Sequence, residues 1–171
     1  MDPRVDLVLD GGACEVGLES TIVGVDGGVI TLLRPGRITR TELERVAGPL
    51  ASPGAAAPRV PGSLHSHYAP ATPLELLDAA AIDRRCTTGE DAKRIAVLSR
   101  RPAPAGCRAL AWQEAAADPA GYGHDLYASL RALDAHGASR ILVEEVPAGE
   151  EWTAARDRLD RAARRDPPDA P

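Results

Sequence analysis

A chain of 171 residues, 44% hydrophobic and 26% charged, has the composition of an ordinary globular protein, with room for one domain or two small ones. Its formal net charge of -5 gives no bulk attraction to nucleic acid, so any anion site must be a local cluster of arginines and backbone N–H groups. With two Trp, three Tyr and no Phe, the core must be built mainly from Ala, Val, Leu and Ile. Cys14, Cys86 and Cys107 are far apart and odd in number. They show neither a disulfide framework nor metal spacing, and read as three buried or half-buried thiols in a reducing cytosol. No signal-peptide pattern and no apolar run of membrane-spanning length is present, so a cytoplasmic protein with no membrane association is expected.

Val5 to Leu9 alternates with Asp6 and predicts a first strand starting almost at residue 1, followed by a turn at Gly11-Gly12. Thr21 to Val25 and Val29 to Leu33 predict two strands joined by a hairpin at Asp26-Gly27-Gly28. Arg34-Pro35-Gly36 stops the second. Thr39-Arg40-Thr41-Glu42 has capping-box spacing, and Leu43, Val46 and Ala47 follow at helical intervals until Gly48-Pro49. Three strands and one short helix cannot close a good core alone, so residues 1–48 read as a very small module or the end of a larger sheet.

Residues 49–70 are rich in Pro, Gly, Ala and Ser and read as an extended linker. Beyond it the pattern becomes α/β. Leu74–Leu77 reads as a strand or a short helix, Arg94–Ser99 as a buried strand, and Arg108–Trp112 as another. A helix runs from about Gly123 to His136 with Leu126, Leu130 and Leu133 on one face. Ser139–Val146 is a strand, and Trp152, Ala155, Leu159 and Ala162 stripe a last helix. Strands alternating with helices predict a small, mostly parallel sheet over 71–165, and the Pro-rich residues 166–171 a disordered tail.

Three clusters carry polar groups suited to binding. Ser20 and Thr21 offer hydroxyls at the entry to a strand, although taken alone they are ordinary turn and strand residues. Arg34, held before Pro35-Gly36, can present its fork to a phosphate or carboxylate, and equally reads as a solvated strand end. In the linker, His65-Ser66-His67-Tyr68 puts two imidazoles on one side of an extended chain. With no carboxylate cluster nearby, a metal site there is disfavoured, and Tyr68 is better suited to close over a planar ligand.

In order, Glu19-Ser20-Thr21-Ile22-Val23, Leu33-Arg34-Pro35-Gly36-Arg37-Ile38-Thr39, Pro61-Gly62 and His67-Tyr68-Ala69-Pro70 resemble the YrdC-like family of threonylcarbamoyl-AMP synthases. The likeness is to its two-domain type, and extends through Leu126–Asp134 and Ala155–Ala163. The resemblance implies a partial YrdC-like mixed α/β sheet (1–48), a linker over the cleft (49–70) and a small Rossmann-like α/β domain (71–165). It implies a nucleotidyltransferase that joins L-threonine, bicarbonate and ATP into threonylcarbamoyl-AMP and releases pyrophosphate. The product serves threonylcarbamoyladenosine modification of tRNA, with no direct tRNA binding expected. Ser20 would then contact the threonine, Arg34 and Tyr68 the nucleotide, with Thr21 and His67 in support, magnesium arriving with ATP and no metal held by the protein. The family's Lys/Arg cluster for the phosphates and its Ser-x-Asn motif precede the strand matched by Val5–Leu9. Neither is found here, and the only lysine is Lys93. The resemblance therefore implies that the N-terminal part of the catalytic domain is missing and that this chain alone is inactive. The competing readings are a non-catalytic module binding a nucleotide or a protein and, more distantly, a metal hydrolase using His65 and His67.

Overall fold

The second half of the chain alternates short apolar runs with helical stripes, and it folds as that alternation requires. The structure, a computed structural model, describes residues 6–12, 14–54, 57–58, 60–61 and 69–164. Strands β3 (Leu74–Leu77), β4 (Ile95–Ser99), β5 (Ala111–Glu114) and β6 (Arg140–Glu144) form one sheet in the order β3-β6-β4-β5, every pair parallel. Helix α2 (Ala79–Thr88) crosses from β3 to β4, α3 (Pro119–Asp134) from β5 to β6, and α4 (Thr153–Ala163) closes the described chain.

The pleat divides the core in two. On one face Ala96 and Leu98 of β4 and Ile141 and Val143 of β6 meet Leu126, Leu130 and Leu133 of α3 and Leu159 of α4. On the other, Ile95, Val97 and Leu142 pack on Ile82 and Cys86 of α2. Burying each large aliphatic side chain contributes about 1.5–3 kcal/mol, so this sheet holds most of the hydrophobic stabilisation.

Helix α2 has no counterpart among the expected elements. Asp78 caps it through Ala81 N, and it rests on only two buried residues, Ile82 and Cys86, too few to show a stripe. β5 lies three residues later than expected. α3 begins earlier, because Asp118 caps it and Pro119 occupies its first turn.

The first part of the chain is a two-stranded antiparallel hairpin, β1 (Ile22–Asp26) with β2 (Val29–Arg34), followed by α1 (Arg40–Ala47). Gly27 and Gly28 take φ of 53° and 80°, the two positive values that a tight two-residue hairpin turn requires. Thr39 and Glu42 form the expected capping box. The expected first strand is absent among the described residues: Asp6 to Gly12 pair with nothing as a strand, and Leu7 and Leu9 are 74% and 86% exposed. Alternation selects a pleated face only where a neighbour supplies hydrogen bonds, and none does so among the described residues. Apart from Leu110, every large hydrophobic side chain found exposed among the described residues lies before residue 47. The hairpin thus has no hydrophobic core of its own, as its strand count implied.

Cys14 is exposed, which corrects the reading of three buried or half-buried thiols, whereas Cys86 is buried and Cys107 half-buried. Burial pushes the Cys86 thiol up to about 12, with Cys107 adding to it. The expected tail at 166–171 lies outside the described residues, as do His65, His67 and Tyr68.

Candidate functional site

Arg34 ends β2 almost wholly buried, and all three nitrogens of its fork donate hydrogen bonds. Nε and Nη2 donate to the Ser20 carbonyl at 3.0 and 2.9 Å, and Nη1 donates to the Pro61 carbonyl at 2.6 Å. Nη2 also reaches the Ser20 hydroxyl at 3.4 Å. One guanidinium therefore joins the segment at Ser20, the turn at Arg34–Gly36 and the start of the linker motif. Ser20 itself is exposed, and Thr21 donates its hydroxyl to the Ile38 carbonyl at 2.8 Å. Gly36 lies flat against this segment: a Cβ there would sit 2.2 Å from Thr21 N and 2.6 Å from the Ser20 carbonyl carbon. Ser20, Thr21 and Arg34 are thus brought together. His67 and Tyr68 lie outside the described residues.

This cluster rests on the parallel-sheet unit through a second set of residues. Arg158 of α4, buried, donates Nε to Glu19 Oε2 at 2.8 Å and Nη2 to the Pro35 carbonyl at 3.1 Å, and pairs with Asp157 through Nη1 at 2.6 Å. The Tyr127 hydroxyl of α3 lies 3.0 Å from both Glu19 oxygens. Gly17, at φ 73°, touches the α3 backbone so closely that a Cβ would meet His124 O at 2.3 Å. Leu18 packs into the larger core beside Gly123. From the other side, Glu150 accepts from Thr41 N and Thr41 Oγ1 at 2.8 and 2.7 Å, holding the first turn of α1. A cleft of about 520 Å³ remains between the two parts, lined in part by Glu15, Leu18, Arg37, Asp118, Gly123 and Glu151. Neither Ser20 nor Arg34 lines it.

Burial would raise the Glu19 carboxyl. The Arg158 hydrogen bond, its own backbone N–H, the Arg158 charge and the Tyr127 hydroxyl outweigh that and hold it below the ordinary 4.5. A carboxyl with a lowered folded pKa adds stability that is present above the unfolded value and lost as pH falls through the folded one. As pH falls below 4.5 and through the lowered folded value, protonation of Glu19 is therefore expected to loosen the Tyr127 ring and the Glu19–Thr21 segment. Asp157 is the other carboxylate facing Arg158. The check is a pH titration of the Tyr127 side-chain NMR signals; Glu19→Gln should flatten it.

One polar cluster left no mark in the sequence reading. At the C-terminal edge of the sheet, buried Glu144 of β6 accepts from Ser99 Oγ of β4 at 2.5 Å, from Arg100 N at 3.2 Å and from Arg100 Nη2 at 3.1 Å. Arg101, paired with Asp83 at 3.0 Å, reaches the same carboxylate at 3.4 Å. The Arg100 guanidinium lies 5.4 Å from the centre of the Trp152 ring, and Tyr122 meets Trp152 edge-on at 5.4 Å. The sequence signal was a Glu ending a buried strand, a residue almost never buried without a partner. No group of three or more His, Cys, Asp or Glu that would hold a metal occurs among the described residues, and no described helix is long and apolar enough to cross a membrane.

A family model described as threonylcarbamoyl-AMP synthase, C-terminal domain, matches residues 38–164. Among curated proteins, the threonylcarbamoyl-AMP synthase of Bacillus subtilis is 30% identical over 179 residues, covering 95% of this chain and 50% of its own. That of Schizosaccharomyces pombe is 28% identical over 186 residues, covering 94% and 45%. The chain thus spans about half the length of the curated relatives it matches. Among solved structures, P. abyssi Sua5 complexed with L-threonine shares the fold with a TM-score of 0.75 at 24% identity, over 90% of this chain and 48% of that one. A variant of the same protein with an adjacent His and Tyr both changed to Ala also gives 0.75, at 22% identity, over 90% and 47%. The chain belongs to the threonylcarbamoyl-AMP synthase family, and it carries that family's C-terminal domain.

Proposed function

We propose that this chain supplies the threonine-side and nucleotide-side segments, the closing linker and the C-terminal domain of a threonylcarbamoyl-AMP synthase. In this reading residues 1–48 are the end of the catalytic domain, 49–70 the linker and 71–165 the Rossmann-like domain. The observation that carries it is the Arg34 fork, which ties Ser20 to Pro61 and so assembles three motif segments at one place. L-threonine is the substrate offered to Ser20, with Thr21 fixing that segment through Ile38. A structural relative complexed with L-threonine supports this assignment. Tyr68 and His67 would cover the nucleotide. They form the only His-Tyr pair in the sequence, and an adjacent His and Tyr were the residues changed in the P. abyssi variant.

The chemistry assigned to the site is formation of a carbamate from bicarbonate and the threonine amine with release of water, and attack of the carbamate oxygen on the α-phosphorus of ATP with loss of pyrophosphate. Positioning and neutralisation of triphosphate charge would dominate such a step. Magnesium would arrive on the triphosphate, which suits an ion that prefers phosphate and water oxygens to an all-protein cage. The location proposed is the cytoplasm, with the product passed on for tRNA modification.

Arg34 donates to carbonyls rather than pointing outward, and Lys93, the single lysine, lies beside β4. Triphosphate neutralisation is here assigned to the Lys/Arg cluster of the family's N-terminal catalytic part, for which neither of these two residues offers a substitute. That engagement of Arg34 is also what favours the second reading, a non-catalytic nucleotide- or protein-binding module. The test is pyrophosphate release from L-threonine, bicarbonate and ATP, first by the chain alone and then with the N-terminal segment of a two-domain relative added as a separate polypeptide. No turnover by the chain and turnover by the mixture is expected. Robust turnover by the chain alone would overturn the assignment of the phosphate side to other residues, and silence in both arms would favour the binding module.

A further inference from the structure

The resemblance leaves the second domain without a role, and the buried arginine of α4 supplies one. Arg158 binds two residues of the first part, Glu19 and the Pro35 carbonyl. Each is the chain neighbour of a candidate ligand residue: Glu19 precedes Ser20, and Pro35 follows Arg34. The Tyr127 hydroxyl on α3 donates to the same Glu19 carboxylate, 3.0 Å from both of its oxygens. Both clamping side chains stand on helices packed into the main core, so their positions are set by the best-buried part of the molecule. The hairpin, by contrast, has no core that would fix the spacing of its two loops. If mere adhesion between the two parts were needed, apolar contact would serve as well as a buried charge, which must be desolvated and paired.

We propose that Arg158, with Tyr127, is a positioning residue through which the C-terminal domain sets the separation of the threonine-side and nucleotide-side segments. The residue touches no ligand itself; it acts through Glu19 and Pro35. The proposal rests on the function assigned above for its meaning, but not for its test.

The test uses the full chain, comparing wild type with Arg158→Met, Arg158→Lys and Glu19→Gln. Amide signals of Ser20, Thr21 and Gly36 and hydrogen exchange over 19–36 report the clamp, while Ile95–Ser99 and Arg140–Glu144 report the sheet. Arg158→Met should shift those three signals and speed exchange over 19–36 by about tenfold or more, leaving the sheet unchanged. Arg158→Lys should restore part of the protection, since an ammonium keeps one partner but not the fork to both. Exchange over 19–36 that does not change, or that rises only in step with the sheet, overturns the proposal. If Arg158→Met fails to fold, Arg158→Lys and Glu19→Gln decide by the same criterion. L-threonine is then titrated into each. A wild-type response at Ser20 that weakens about tenfold in Arg158→Met shows that the clamp serves binding. A wild type that ignores L-threonine removes the threonine-binding assignment for the chain alone, while the exchange data still decide the clamp.

Discussion

Glu144→Ala is expected to cost about 3–5 kcal/mol and to unfold most of the chain at modest denaturant. The carboxylate is buried between β4 and β6, the two central strands, and receives donors from Ser99, Arg100 and Arg101. Truncation leaves two guanidinium groups and a buried hydroxyl facing a cavity. Arg100 keeps the Glu145 carbonyl at 3.3 Å, but its Nε is already buried without a hydrogen-bond partner among the described residues. Each donor left dry costs about 1–3 kcal/mol. Arg101 has a fallback in Asp83 at 3.0 Å, which should keep the loss near the lower end of the range. Glu144→Gln, which keeps one acceptor for Ser99 but loses the charge, should cost about half as much. Urea denaturation followed by far-UV circular dichroism measures both. A loss under about 1 kcal/mol for the alanine variant would mean that water replaces the carboxylate at no cost, and the buried cluster would then be irrelevant to stability.

This cluster also marks where sequence reading stops. The β1–β2 hairpin was legible because Asp26-Gly27-Gly28 between two β-branched runs leaves few alternatives, and α1 because Thr39 and Glu42 form a complete capping box. The parallel sheet was legible from strand-length apolar runs such as Ile95–Ser99. Helix α2 was not: its run of alanines after Asp78 carries no stripe, and the two residues it buries, Ile82 and Cys86, sit a single turn apart. Val5–Leu9 misled for the opposite reason, since its alternation is real but its partner strand is missing from the described residues. Of the candidate residues, Ser20, Thr21 and Arg34 were singled out by motif order. What Arg34 does was not, because its partners, the Ser20 and Pro61 carbonyls, are backbone atoms that no side-chain pattern advertises. The Glu19–Arg158 pair spans 139 positions, beyond the reach of any local periodicity.

Gly36→Ala should separate the two halves of the candidate site without unfolding the protein. The glycine is required here by close approach: an added methyl would overlap Thr21 N, the Ser20 carbonyl carbon and Thr21 Oγ1, all within 2.7 Å. Two of these are backbone atoms, so no side-chain rotation relieves the overlap and one segment must move. Overpacking of this kind costs about 1–3 kcal/mol. The sheet cannot yield, because β3 to β6 are packed on both faces. The hairpin, whose strands bury no hydrophobic side chain fully, can. The strain should therefore fall on the hydrogen bonds from Arg34 to the Ser20 carbonyl and from Thr21 to Ile38. Expected are an unchanged unfolding midpoint for the sheet, faster amide exchange over 19–24 and 34–38, and loss of any response of Ser20 to L-threonine. The same methyl at Gly54, where an added Cβ would meet nothing within 4 Å, should change none of these. If Gly36→Ala matched wild type in exchange over both segments, the close packing of the Arg34–Gly36 turn on Ser20–Thr21 would not be what holds the candidate residues together.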